Sequence, residues 1–93
     1  MTPETRLKLV LEEVQSERAR QDLKWGGADH DDKWTPLDWH EMIADYNGWA
    51  RRMATMGSVD KARMRYIQVA ALAVAAVEAI DRQTQIAKVL YGS

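Results

Sequence analysis

The sequence predicts an all-α fold, and three observations predict it. Apolar residues recur three and four positions apart along much of the chain, which is the signature of one helical face. Thr-Pro pairs at 2–3 and 35–36 carry helix-start chemistry ahead of two such segments. The centre of a third segment, "YIQVAALAVAAVEAI" (66–80), is apolar nearly all round and rich in alanine.

Helix 1 is expected over about 3–23. Thr2 caps it, Pro3 occupies its first turn and Glu4 supplies an early acid. Leu7, Val10, Leu11 and Val14 then form one stripe, which gives way to the polar stretch "SERARQD". Residues 24–35 combine a glycine pair with clustered aspartates and lack periodicity, so they read as a loop. Helix 2 is expected over about 36–56, starting at Thr35-Pro36 or Asp38. Trp39, Met42, Ile43, Tyr46, Ala50 and Met53 make its buried stripe, and Gly57-Ser58 closes it. Asp45 lies about 110° from the centre of that stripe and Trp49 about 70°, so both flank the buried face. Helix 3 is expected over about 59–89. Its all-round apolar centre implies burial on more than one side, and its alanines let neighbouring backbones come close. The expected architecture is therefore three main helices with a long alanine-rich third, in a bundle completed by oligomerisation.

Ninety-three residues at 46% hydrophobic content make one small domain. A chain this short is marginal alone, so a homodimer or homotetramer is expected. With no cysteine, disulfides and thiolate metal sites are excluded. No signal-peptide pattern opens the chain. The longest apolar block, around Val69 to Val77, falls well short of the ~20 residues that span a bilayer. A soluble cytoplasmic protein without a membrane partner is the expectation. Net charge is −1, yet its distribution is uneven. Six acids and one lysine lie between Asp29 and Asp45, whereas five basic residues and one acid lie between Arg51 and Arg65. That asymmetry can attract an anion or join the acidic face of one subunit to the basic face of another. Its plainer reading is a solvated turn between helices.

Three groups of residues invite chemistry. His30 and His40 stand near aspartates, but there is no H-x-x-x-H pair and no EF-hand ladder. His30 therefore reads as a solvated loop residue and His40 as a surface one. Four tryptophans, Trp25, Trp34, Trp39 and Trp49, supply burial area and ring faces that can stack on a base. Trp39 reads as core; Trp49 suits a groove or a subunit contact. Gly26-Gly27 has neither the lysine nor the serine of a phosphate loop, and no strand precedes it.

Most of the chain, about residues 10 to 82, resembles a family. "ERARQDLKWGGADHDD" (17–32) looks like a leader found in small phage and prophage proteins related to the MazG-like all-α nucleoside triphosphate pyrophosphohydrolases. "VAALAVAAVEAIDR" (69–82) is similar to the helix that ends those proteins, and W-x-x-x-I-x-x-x-x-G-x-A (39–50) to the helix before it. The resemblance implies an oligomeric all-α fold and cleavage of nucleotides between the α and β phosphates. It also implies Mg²⁺ held by an E-E-x-x-E helix facing an E-x-x-D helix. Carboxylates one turn apart on facing helices suit that hard cation.

Matched position by position, the first motif falls on Asp45, Tyr46 and Trp49, with Gly48 and Ala50 in register, and the second on Arg65 and Gln68. Only Asp45 is a carboxylate, and Arg65 brings positive charge to a metal-ligand position. Gly48 then reads as a close-packing position. The resemblance thus implies a non-catalytic accessory protein with no metal of its own. Asp45 and Arg65 are expected to replace the metal bridge with a charge-assisted hydrogen bond, joined by Gln68 and Tyr46. The functional reading is that Arg65, with Arg51, Arg52 and Arg63, receives phosphate groups while Trp49 or Tyr46 stacks on a base. The expected partner is a host or phage protein or a nucleotide-like anion, not a nucleic acid. The alternative is a Mg²⁺-dependent nucleoside triphosphate pyrophosphohydrolase.

Overall fold

A computed structural model describes residues 1–92, without the side chains of 86, 87, 90 and 91. The described residues form four helices: α1 (Pro3–Trp25), α2 (Gly27–Asp31), α3 (Pro36–Thr55) and α4 (Val59–Tyr91). Helix α1 starts where the Thr2 hydroxyl accepts from the Thr5 N–H at 3.1 Å, with Pro3 just inside. Helix α3 starts with a full capping box. The Asp38 N–H donates to Thr35 Oγ1 at 3.2 Å, and the Thr35 N–H donates back to the Asp38 carboxylate at 2.9 Å. Two otherwise orphaned backbone donors are satisfied reciprocally, which fixes the start at Thr35.

The 24–35 loop expected from the sequence is a correction. Helix α1 runs on to Trp25 and stops because Gly26 adopts φ +100°, its N–H donating to the Asp22 carbonyl at 2.9 Å. Gly27 follows at φ +65°, so the pair reverses the chain within two residues. Residues 27–31 then re-enter a single helical turn, α2. The rings of Trp25, His30, Trp34 and Trp39 pack in series at centroid distances of 6.3, 4.8 and 4.8 Å and hold this turn down.

Helix α4 is the spine. Both α1 and α3 pack on it. The core lies on the α3 side, where Trp39 and Tyr46 press on Leu72, Ala75, Ala76 and Ala79. Alanines on α4 leave room for the two large rings against its backbone, and Leu72 in the same cluster is completely buried.

The α1 side is different. Of the Leu7–Val14 stripe only Val14 is buried, while Leu7 and Leu11 are exposed. Polar ties hold α1 instead. Arg63 grips both oxygens of Glu13 at 2.7 and 2.8 Å, and Arg18 joins Glu78 at 3.2 Å and Asp22 at 2.8 Å. Beyond α1, Arg82 holds Asp32 at 2.8 Å, and Gln83 donates to the carbonyls of Asp32 and Trp34. The result is elongated, 50 × 30 × 23 Å, its long axis set by the 33 residues of α4. No helix among the described residues is long and apolar enough to cross a membrane.

Candidate functional site

Helical spacing on α3 puts Tyr46 toward α4 and swings Trp49, one turn later, to its flank. On α4, Arg65 and Gln68 are likewise one turn apart. The two pairs meet. The Arg65 guanidinium carbon sits 5.0 Å from the Trp49 ring centroid and 5.9 Å from that of Tyr46. The rings themselves are 4.8 Å apart and tilted by 57°. Arg65 Nη1 donates to Gln68 Oε1 at 3.1 Å, which fixes the guanidinium in place. Tyr46 and Gln68 are buried, Arg65 is half-buried, and Trp49 remains 40% exposed, so one side of the cluster faces solvent.

The anticipated Asp45–Arg65 bridge is corrected. Asp45 is exposed, and no ion pair joins it to Arg65 among the described residues. Arg65 takes the faces of the two rings instead, a contact that leaves Asp45 hydrated. Its charge is consequently without a carboxylate partner, unlike Arg18, Arg20, Arg63 and Arg82, each of which has one.

The other arginines divide. Arg52 follows Trp49 by three residues on the same flank of α3 and is exposed; Arg51, also exposed, points about 100° further round. Arg63 belongs elsewhere. It lies on the α1 side of α4, where the bidentate hydrogen bond to Glu13 raises its pKa and lowers that of Glu13.

Gly48 is a second correction. A Cβ built there meets nothing within 4 Å, so α3 and α4 do not need the glycine for close approach. His30 is a third. Far from a solvated loop residue, it lies between the Trp25 and Trp34 rings, with Nδ1 3.0 Å from the buried Asp31 carboxylate. His40 is exposed as expected.

One neighbour of the site escaped the sequence reading. Gln21 of α1 is buried, and its Nε2 donates to the Gln68 carbonyl at 3.4 Å. Its Oε1 is left without a partner. The signal was available, because Gln21 falls on the same helical stripe as Val14, where a polar residue is out of place.

The donor set decides what the cluster can do. Among the described residues no three His, Cys, Asp or Glu side chains converge on a point that could hold a metal ion. Of the five residues at the motif positions Asp45 alone is a carboxylate and is exposed, and the other four, a guanidinium, an amide, a phenol and an indole, do not fit Mg²⁺, which needs several anionic oxygens. They fit an anion. A guanidinium stacked on aromatic faces presents its N–H edge to a phosphate, while the indole face offers stacking. A groove of about 670 Å³ between α1 and α4 carries the opposite chemistry. Glu12, Glu13, Glu17 and Asp60 outnumber Arg20 and Arg63 there.

Comparison of the chain with models of protein families, with curated proteins and with solved structures finds no match.

Proposed function

We propose that the chain is a non-catalytic, phage-type accessory relative of the MazG-like all-α nucleoside triphosphate pyrophosphohydrolases. In this reading it works in the cytoplasm as a homo-oligomer and binds a nucleotide-like anion on the α3–α4 face. The observation that carries the reading is Arg65: half-buried, stacked on Trp49 and Tyr46, held by Gln68 and lacking a carboxylate partner. At those positions the enzymes of the family carry the acids that hold Mg²⁺. Here the charge is reversed, so the phosphates meet a cation of the protein itself. Arg65 supplies the charged donors, Trp49 the exposed ring face, and Gln68 and Tyr46 the orientation. Arg52 adds positive charge on the same flank.

Thermal denaturation with nucleoside mono-, di- and triphosphates in the presence of a chelator tests this. A ligand at a hundred times its Kd stabilises by about 2.7 kcal/mol, and about 1 kcal/mol moves the midpoint of a domain this size by roughly 4–8 °C. Stabilisation is expected in the parent chain, abolished in Arg65→Ala and reduced in Trp49→Ala. No shift with any nucleotide would sink the anion reading and leave a protein partner. Pyrophosphate release in Mg²⁺ that disappears in Asp45→Ala would overturn the non-catalytic reading in favour of the hydrolase.

A further inference from the structure

Helix α4 carries a second apolar stripe that neither α1 nor α3 covers. Tyr66, Ala70, Ala73, Val77 and Ile80 succeed one another at the three- and four-residue spacings of a helix–helix seam, and Val59 lies on the same stripe seven residues before Tyr66. The four larger ones are between 38% and 74% exposed. Val10 and Val14 of α1 and Ala54 of α3 extend the stripe sideways into an apolar groove of about 520 Å³. A continuous apolar surface of this kind on a soluble chain marks a contact.

We infer that the occupant is a second copy of this chain, its α4 packed antiparallel on the first across the Ala70–Ala73 segment. The inference rests on the homo-oligomer part of the reading above and adds the face, the direction and the register. Small residues at the crossing let the two backbones approach closely. On either side of them, Tyr66 of one copy then covers Val77 of the other.

Charge selects the direction. Arg63 and Asp81 lie on the same flank of the stripe, at nearly equal distances along the helix from the alanine pair. Antiparallel pairing brings Arg63 of each copy, which already holds Glu13 of its own copy, level with Asp81 of the other, so that the guanidinium bridges two carboxylates. Parallel pairing puts this flank of one copy on the opposite side of the seam from the same flank of the other, so Arg63 and Asp81 gain no opposite charge across it. A two-fold contact of this kind is also closed, so it yields a dimer rather than a filament.

The absence of native cysteine makes a clean cross-linking test possible. Sedimentation of the full chain is expected to give a dimer, and Val77→Arg a monomer of unchanged helicity by circular dichroism. Because Val77 is exposed, that substitution leaves the core of the chain intact. Mixing Tyr66→Cys chains with Val77→Cys chains under mild oxidation should give the mixed disulfide dimer. Tyr66→Cys chains alone should give none, since the antiparallel register holds the two introduced thiols about 16 Å apart along the axis.

A disulfide dimer from Tyr66→Cys alone, or a dimer without the mixed cross-link, overturns the direction and register while self-association stands. A dimer indifferent to Val77→Arg overturns the face. A monomer at every concentration overturns this inference together with the homo-oligomer reading, and leaves the anion site to its own titration.

Discussion

At Gly48 an added Cβ meets open space and the backbone is ordinary helix, so the residue costs α3 stability without a return inside the chain. Gly48→Ala is therefore expected to stabilise by up to about 1 kcal/mol, through a smaller loss of backbone entropy on folding. Thermal denaturation of the two proteins reads this as a higher midpoint for the variant. A lower midpoint would place Gly48 against another copy. Arg65 offers a finer probe of the site. Arg65→Lys keeps the charge but loses the plane that lies on Trp49 and Tyr46. Nucleotide stabilisation should fall toward that of Arg65→Ala rather than stay at the parent level. The grouping of Tyr46, Trp49, Arg65 and Gln68 was expected from the resemblance, which sets those positions on facing helices; one-turn spacing alone puts each pair on one flank of its own helix without saying that the flanks meet. Which partner Arg65 takes was not legible. A carboxylate and two ring faces lay within reach of that expectation, and the choice turns on whether Asp45 gives up its water.

The elements differ in how much of their definition is local. The start of α3 is entirely local, because Thr35 and Asp38 satisfy each other's backbone groups. Thr35→Ala should cost about 1 kcal/mol for the same reason, measured by chemical denaturation. Helix α2 is the opposite case. A five-residue turn has no periodicity to read, and it persists through rings contributed by α1, by its own His30 and by the chain after it. The docking of α1 was also hidden, since its apolar stripe suggests a buried face while the contact is mostly ionic. Glu13 shows the consequence. Arg63 holds its carboxylate below the ordinary glutamate range, mainly through the hydrogen bond. What the pair contributes is present above that range and is lost as pH falls through the depressed value. The difference in thermal midpoint between the parent chain and Glu13→Gln should accordingly shrink on acidification, and also in high salt, because the pair is exposed.

For the whole molecule, the radius of gyration is 15.5 Å, against roughly 12 Å for a compact domain of this length. The excess comes from α4, which outruns the two helices packed on it and leaves apolar side chains in water. Chain length and composition pointed to a bundle that one copy does not complete. They did not say which side of α4 stays open, because a helix that is apolar all round gives no preferred direction until α1 and α3 have taken their places. Pairing of two copies through the stripe on that open side, as inferred above, would make stability depend on protein concentration. If folding and pairing are one transition, a hundredfold dilution removes about 2.7 kcal/mol per dimer. With about 2.1 cal/mol/K of unfolding entropy per residue in two chains, or about 0.4 kcal/mol/K, the midpoint should fall by roughly 7 °C. Scanning calorimetry and fluorescence at concentrations two decades apart give the two midpoints. In Val77→Arg, where the seam carries a charge and the core is untouched, the midpoint should be lower and independent of dilution. A parent chain whose midpoint does not move with concentration folds as a monomer, and its exposed stripe on α4 then requires a partner other than itself.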